Sequence, residues 1–148
     1  MKEQTIEEKK AYLRSYIQLK REAISKAELI DYLRQAELGR AVNYSDMPKA
    51  GSSQRDLSDY AAKYDEAVTE LQEANRKMFE RMSEIIQAID DMPADTPAAI
   101  TERAILRKRY ILGYGWEMIA VQIGKTYRHT TRMHGYALEH FWIPERKK

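Results

Sequence analysis

Residues 57–91 read LSDYAAKYDEAVTELQEANRKMFERMSEIIQAIDD, and this stretch decides the fold. It contains neither glycine nor proline, and its apolar residues recur every three or four positions. The apolar stripe consists of Leu57, Tyr60, Tyr64, Ala67, Leu71, Ala74, Met78, Met82, Ile85 and Ile89. Such spacing is typical of the seam of a helix that packs against another helix. A helix over this stretch would be ~50 Å long, so it needs a partner helix along its length.

Residues 1–38 also lack glycine and proline and supply that partner. Their apolar stripe consists of Tyr12, Tyr16, Leu19, Ala23, Ala27, Ile30 and Leu33, widened by Ile6, Leu13, Ile17 and Ile24. The pattern predicts a long antiparallel helical hairpin over residues 1–92. Residues 39–55, GRAVNYSDMPKAGSSQR, carry glycine, proline and serine and predict the loop of the hairpin. The segment from Tyr44 to Lys49 within it is either a mobile connector or a place where a partner is held.

The chain after residue 92 has a different organisation. The sequence DMPADTP at residues 91–97 ends the second long helix, and a new helix begins near Ala98 or Thr101 and runs to about Leu112. Further helices are predicted from Trp116 to Ile123 and from the residues after Gly124 to about Phe141. No useful alternation of apolar and polar residues predicts a strand. We therefore expect an all-α protein with a hairpin at 1–92 and a three-helix domain at 98–148.

Composition and charge narrow the classes of function. The 148 residues are 43% hydrophobic and 32% charged and include no cysteine, which excludes disulfides and thiolate metal sites and favours the cytoplasm. Neither a membrane span nor a secretory signal is expected. Residues 1–100 hold 15 basic and 19 acidic side chains, whereas residues 101–148 hold 10 and 4, so the net charge changes from −4 to +6. A basic third beside an acidic remainder is typical of a protein that binds a polyanion with one end.

The twenty residues from Trp116 to Gly135, WEMIAVQIGKTYRHTTRMHG, match the needs of a helix-turn-helix. Ala120 provides a small residue where the two helices cross, and Gly124 provides the tight turn. Thr126 is placed to cap the second helix. The packing positions fall on Ile119, Ile123 and Met133, with Thr130 where a β-branched apolar residue is usual and Gly135 inside the second helix.

The exposed face of the second helix holds planar and hydrogen-bonding side chains that reach base edges when a helix lies in the major groove. These predicted DNA contacts are Thr126, Tyr127, Arg128, His129, Thr131 and Arg132. Lys125 before the cap, and Arg107 and Lys108 on the preceding helix, are predicted to neutralise phosphates. The partner is then double-stranded DNA.

The run ERAILRKRYILG at 102–113, followed by Trp116–Ala120, Ile123–Gly124, Arg128 and His134–Leu138, resembles region 4 of sigma-70-type factors. It is most similar to small phage-encoded regulators of the ArpU and RinA types, which activate late genes. The resemblance implies sequence-specific DNA binding at a promoter and contact with RNA polymerase, in a phage or prophage regulator. In the family pattern the base-reading positions correspond to Tyr127, Arg128, His129, Thr131 and Arg132.

No enzyme, cofactor or metal site is predicted. His129 and His134 are five residues apart and do not share a helix face as a metal pair would, and no phosphate-binding glycine motif or GxSxG elbow occurs. The hairpin also predicts a homodimer through the N-terminal helices. The alternative function is a helical interaction or assembly protein, such as a DNA-packaging recognition subunit, in which the hairpin mediates oligomerisation.

Overall fold

A computed structural model of the chain describes residues 2–43 and 53–145, and all regular structure within these ranges is helical. Helix α1 spans Ile6–Asn43 and α2 spans Ser53–Asp90. Helix α3, Pro97–Leu106, continues into a π-helical segment, Arg107–Ile111. Helices α4, Trp116–Ile123, and α5, Tyr127–His140, complete the chain. The predicted all-α class, with a long N-terminal helix pair followed by shorter helices, is confirmed.

The predicted loop at residues 39–55 is too long at both ends. Helix α1 continues through Gly39 to Asn43, and α2 begins at Ser53 rather than after Arg55. A glycine inside a helix costs only ~1 kcal/mol relative to alanine, and each residue added to an existing helix gains a backbone hydrogen bond. The segment from Tyr44 to Lys49 lies outside the described residues.

The chain forms two compact units, and each long helix contributes to both. Unit 2, Leu19–Lys77, contains the middle of the hairpin. There Lys26 Nζ lies 3.3 Å from Glu70 Oε2, and Arg34 Nη2 donates to the Tyr64 hydroxyl at 3.2 Å. Since one residue number rises while its partner's falls, the two helices are antiparallel. The division into domains 1–92 and 98–148 stays a prediction.

Apolar side chains, most of them alanines, line the seam of unit 2. Ala23, Ile30, Ala67 and Ala74 are buried, as the stripes predict. Ile24, by contrast, is 48% exposed, so the prediction that it widens the α1 stripe is wrong. It follows Ala23 by one position, which rotates its side chain about 100° around the helix, away from the seam.

Unit 1 comprises Met1–Gln18 and Met78–Lys148 and holds the main hydrophobic core. This core joins the first turns of α1 and the last turns of α2 to the C-terminal helices, and its fully buried members are Leu13, Ile85, Ile89, Leu106, Ala137 and Phe141. Burial of each large side chain contributes ~1.5–3 kcal/mol relative to exposure. The N-terminal residues of α1 are therefore part of the same packed unit as the predicted DNA-binding helices.

Two further contacts attach α1 to the C-terminal residues of unit 1. The buried Lys9 donates its ammonium protons to the carbonyl oxygens of Leu138 and Glu139, at 2.9 and 3.2 Å. A cation there satisfies the last carbonyls of α5 and complements the negative end of its dipole. The Gln4 amide donates to the Ile143 carbonyl at 2.9 Å and accepts from the Ile143 N–H at 2.7 Å. These bonds fix the backbone on both sides of Phe141.

Candidate nucleic-acid interface

The turn between α4 and α5 has the geometry that its sequence predicts. Gly124 has a φ of +70°, which L side chains rarely adopt, and open space surrounds the position where a Cβ would lie. The glycine is therefore required by backbone conformation and not by close packing. The Lys125 N–H donates to the Ala120 carbonyl at 3.0 Å and ends α4. The Thr126 hydroxyl accepts from the His129 N–H at 3.1 Å, which confirms the predicted N-cap of α5.

The two helices pack through the positions that the motif requires. Ile119 is fully buried and Ala120 is 5% exposed, so a small side chain does lie at the crossing. Thr130 is also fully buried, and its hydroxyl donates to the Thr126 carbonyl at 2.8 Å. The hydroxyl is thereby satisfied within α5, and the methyl group remains available for packing. Threonine thus replaces an apolar β-branched residue without leaving a buried donor unpaired.

The opposite side of α5 faces solvent. Lys125, Thr126, Tyr127, Arg128, His129 and Arg132 are exposed, and Thr131 is half-buried. Arg128, Arg132 and Gly135 follow one another at spacings of four and three, so they share one face of the helix. A Cβ added at Gly135 would meet nothing within 4 Å. The glycine therefore leaves a gap in the side-chain cover of this face, where a partner could approach the backbone.

The basic residues of the predicted interface differ in their existing partners. In the part of the chain that the structure describes, the side chains of Lys125, Arg128 and Arg132 form no hydrogen bond or ion pair. Arg107, in contrast, donates to Asp90 Oδ1 at 2.7 Å. Lys108 donates to Gln122 Oε1 at 2.7 Å. Both can still reach solvent, but each would have to exchange a present partner for a phosphate.

Arg107 belongs to a cluster of side chains at the C-terminal end of α2. Arg103 donates to the backbone carbonyls of Ile89 and Asp90, at 3.2 and 2.8 Å. The pKa of Asp90 is lowered first by the hydrogen bond from Arg107 and then by the charge of Arg103. Cations at a helix C-terminus complement the helix dipole. These two arginines therefore have a structural role, and Arg107 as a phosphate contact stays a prediction.

The π-helical segment places Tyr110 and Arg109 beside α5. The Leu112 N–H donates to the Arg107 carbonyl at 3.0 Å, a wider turn than the regular helix to Leu112 that the sequence predicts. The buried Tyr110 hydroxyl and His134 Nε2 are hydrogen-bonded at 2.8 Å. The Trp116 ring meets the His134 ring edge-on, with centroids 4.6 Å apart. Burial lowers the pKa of His134 to about 4, and the charges of nearby basic residues act in the same direction.

Arg109 is the basic residue of this region that the sequence interpretation omits. Its guanidinium lies over the Trp116 ring, 4.6 Å from the centroid, and Nη1 donates to the Tyr114 carbonyl at 3.3 Å. The signal was present in the run Arg107–Lys108–Arg109, but helical periodicity could not distinguish these three residues across a π-helical turn. The stacked guanidinium keeps its charge at the surface of unit 1.

The histidines are not arranged as metal ligands. His129 is exposed on α5, whereas His134 is buried against Tyr110 and Trp116. Within residues 2–43 and 53–145, no group of three or more histidine or acidic side chains is placed to hold a metal ion. No helix within these ranges is both long enough and apolar enough to cross a membrane.

Comparisons with known proteins assign no family: no family model, curated protein or solved structure matches this chain.

Proposed function

We propose that this protein is a sequence-specific double-stranded DNA-binding regulator of transcription that acts in the cytoplasm. The observation that carries the proposal is the exposed face of α5. It follows a capped, glycine-based turn and presents Arg128 and Arg132, whose guanidinium groups have no partner among the described residues. Arginine is the side chain that most often reads guanine, through two hydrogen bonds in the major groove.

The remaining side chains of this face fit the same partner. Tyr127 and His129 provide planar groups with hydrogen-bonding edges, and both are exposed. Thr131, half-buried, and the capping Thr126 lie at the same end of α5. The first turn of a helix also presents free backbone N–H groups and the positive end of the dipole, which favour a phosphate. Base reading is assigned to Arg128 and Arg132, and positioning to Lys125 and Lys108.

Dimerisation through the hairpin and contact with RNA polymerase complete the proposal. In unit 2, α1 exposes three large apolar side chains, with exposed fractions of 48% for Ile24, 48% for Leu29 and 68% for Tyr32. A second copy that covers them would bring two α5 helices into one complex, and binding of both to a symmetric operator raises affinity. The polymerase contact and the phage origin rest on the resemblance to sigma region 4 and to phage late-gene regulators.

The test is fluorescence anisotropy of the purified protein with duplex fragments that flank its own gene, over a salt series with scrambled competitor. We expect preference for one fragment and a steep fall of affinity with salt. Arg128→Ala should remove the preference and leave non-specific binding largely intact. The matched control is Arg76→Ala, which removes an exposed arginine of α2 in unit 2. An absence of binding at low salt would refute the proposal.

The alternative is an assembly protein that acts through the hairpin, such as a DNA-packaging recognition subunit. The exposed apolar side chains of α1 are the observation in its favour. Ile24→Lys with Tyr32→Glu should then abolish self-association or partner binding in analytical ultracentrifugation, and Arg128→Ala should have no effect on function. For a regulator, the change at Arg128 should instead abolish operator preference.

A further inference from the structure

Three basic side chains from two separate parts of the sequence belong to unit 1 and lie near His134 of α5. Lys10 and Arg14 lie one turn apart on α1, and Arg109 lies in the π-helical segment. Their neighbours on α1 fix this position, because Lys9 is bonded to the end of α5 and Leu13 is fully buried in the core with Ala137 and Phe141. The charges of all three lower the pKa of His134, in the middle of α5. The cluster therefore lies near the Trp116–His134 contact.

Little negative charge compensates this cluster. Glu7 Oε1 lies 3.6 Å from Lys10 Nζ, and this is the single acidic contact that the described residues make with the three cations. Glu7 is itself 82% exposed, so the pair is weak. Arg14 is exposed and forms no hydrogen bond or ion pair in the described ranges. Arg109 lies over the Trp116 ring and forms no ion pair with a described residue.

The location of the cluster fits the two rows of phosphates that flank a major groove. A helix in the groove has one phosphate strand on each side, and contacts to both strands fix its register. Lys125 lies in the turn before α5, and Lys108 is bonded to Gln122 of α4. Lys10, Arg14 and Arg109 lie near Trp116 and His134, and His134 shares its side of α5 with Tyr127 and Thr131 by helical spacing.

We infer that Lys10, Arg14 and Arg109 form a second phosphate-binding surface for duplex DNA, so that the first turns of α1 belong to the DNA interface. This inference rests on the proposed function and extends it to a segment that the sequence assigns to the hairpin alone. Such contacts should strengthen binding to all duplexes about equally, because phosphates carry no sequence information.

The test compares salt dependence in three doubly substituted proteins. Lys10→Gln with Arg14→Gln should reduce the log–log salt slope for duplex binding by about two, roughly one for each phosphate that is no longer neutralised. The ratio of affinities for preferred and scrambled fragments should stay the same. Lys63→Gln with Lys77→Gln is the control, because it removes two exposed charges of α2 in unit 2 and should leave the slope unchanged. Lys10→Arg with Arg14→Lys should keep the wild-type slope.

The outcomes separate this inference from the proposed function. If the wild-type protein binds duplex DNA and depends on Arg128, but the Lys10 and Arg14 variant keeps its slope, the second surface is refuted and the regulator stands. A slope that falls equally in the control would show only an effect of net charge and would also refute it. If the wild-type protein binds no duplex, both proposals fail. Thermal melting of each variant ensures that the slopes are measured on folded protein.

Discussion

Two groups of arginines in the C-terminal third differ in their partners. Arg103 and Arg107 donate to Asp90 and to the final carbonyls of α2, so their charges are used inside unit 1. Arg128 and Arg132 extend from α5 with no partner among the described residues. The net charge of +6 in residues 101–148 does not distinguish the two groups. The second group is available to a polyanion without exchange of an existing contact.

The largest expected effect is a difference in DNA affinity between a variant of Arg132 and a variant of Arg107. Arg132→Ala should reduce affinity for the preferred duplex by roughly 5- to 150-fold, the equivalent of the ~1–3 kcal/mol that a bidentate base contact contributes. Arg107→Ala should change that affinity much less and lower the melting temperature instead, because it removes the closer of the two arginines that pair with Asp90. Anisotropy and thermal melting of both variants provide the check. Equal reductions of affinity would mean that Arg107 is also a DNA contact.

The sequence predicted the turn between α4 and α5 and its cap, but it did not predict the partner of Arg107. Gly124, Thr126 and Ala120 have roles that local backbone geometry and helical spacing determine, so the turn and its cap could be predicted from the residues alone. The role of Arg107 depends on Asp90, seventeen positions earlier, and such long-range pairing leaves no periodic signal.

The same limitation applies to the N-terminal residues of α1. Heptad spacing predicted the hairpin partner of α2, and the antiparallel contacts in unit 2 agree with it. It did not predict that Lys9 would bind the end of α5, because a buried lysine that caps another helix resembles any other charged residue in a periodic pattern. The loop bounds failed for a related reason, since glycine and asparagine disfavour a helix locally but do not forbid its last turns.

A second prediction concerns the pH dependence of stability that follows from the burial of His134. Its pKa is about 4 in the folded protein, lowered by burial and then by Lys10, Arg109 and Arg14, against 6.5 in an unfolded chain. Between these values the unfolded state binds a proton that the folded state does not. The contribution of His134 to the free energy of unfolding should therefore have its full value above pH 6.5 and decrease as the pH falls toward 4.

Urea unfolding at pH 7 and pH 5 tests this dependence. His134→Gln keeps a hydrogen-bonding group for Tyr110 but cannot titrate, so it should lose less stability between the two pH values than the wild-type protein. His129→Gln, at an exposed position, should behave like wild type. If His134→Gln loses as much stability as wild type, the histidine is not the group responsible.

The smallest expected effect comes from a variant in which Arg107 loses its partner. Arg107 then becomes available to a phosphate, as Arg128 and Arg132 already are. Asp90→Asn removes the carboxylate that holds Arg107, so the magnitude of the log–log salt slope for duplex binding should rise by about one as Arg107 becomes free for a phosphate. Stability should fall slightly, because Arg107 and then Arg103 lower the pKa of Asp90 in the folded protein. That contribution is present above the ordinary pKa of aspartate and is lost as the pH falls below it. Asp95→Asn makes the same change in net charge at an exposed position between α2 and α3 and is the control. A slope that rises equally in both variants would show that net charge, and not release of Arg107, is responsible.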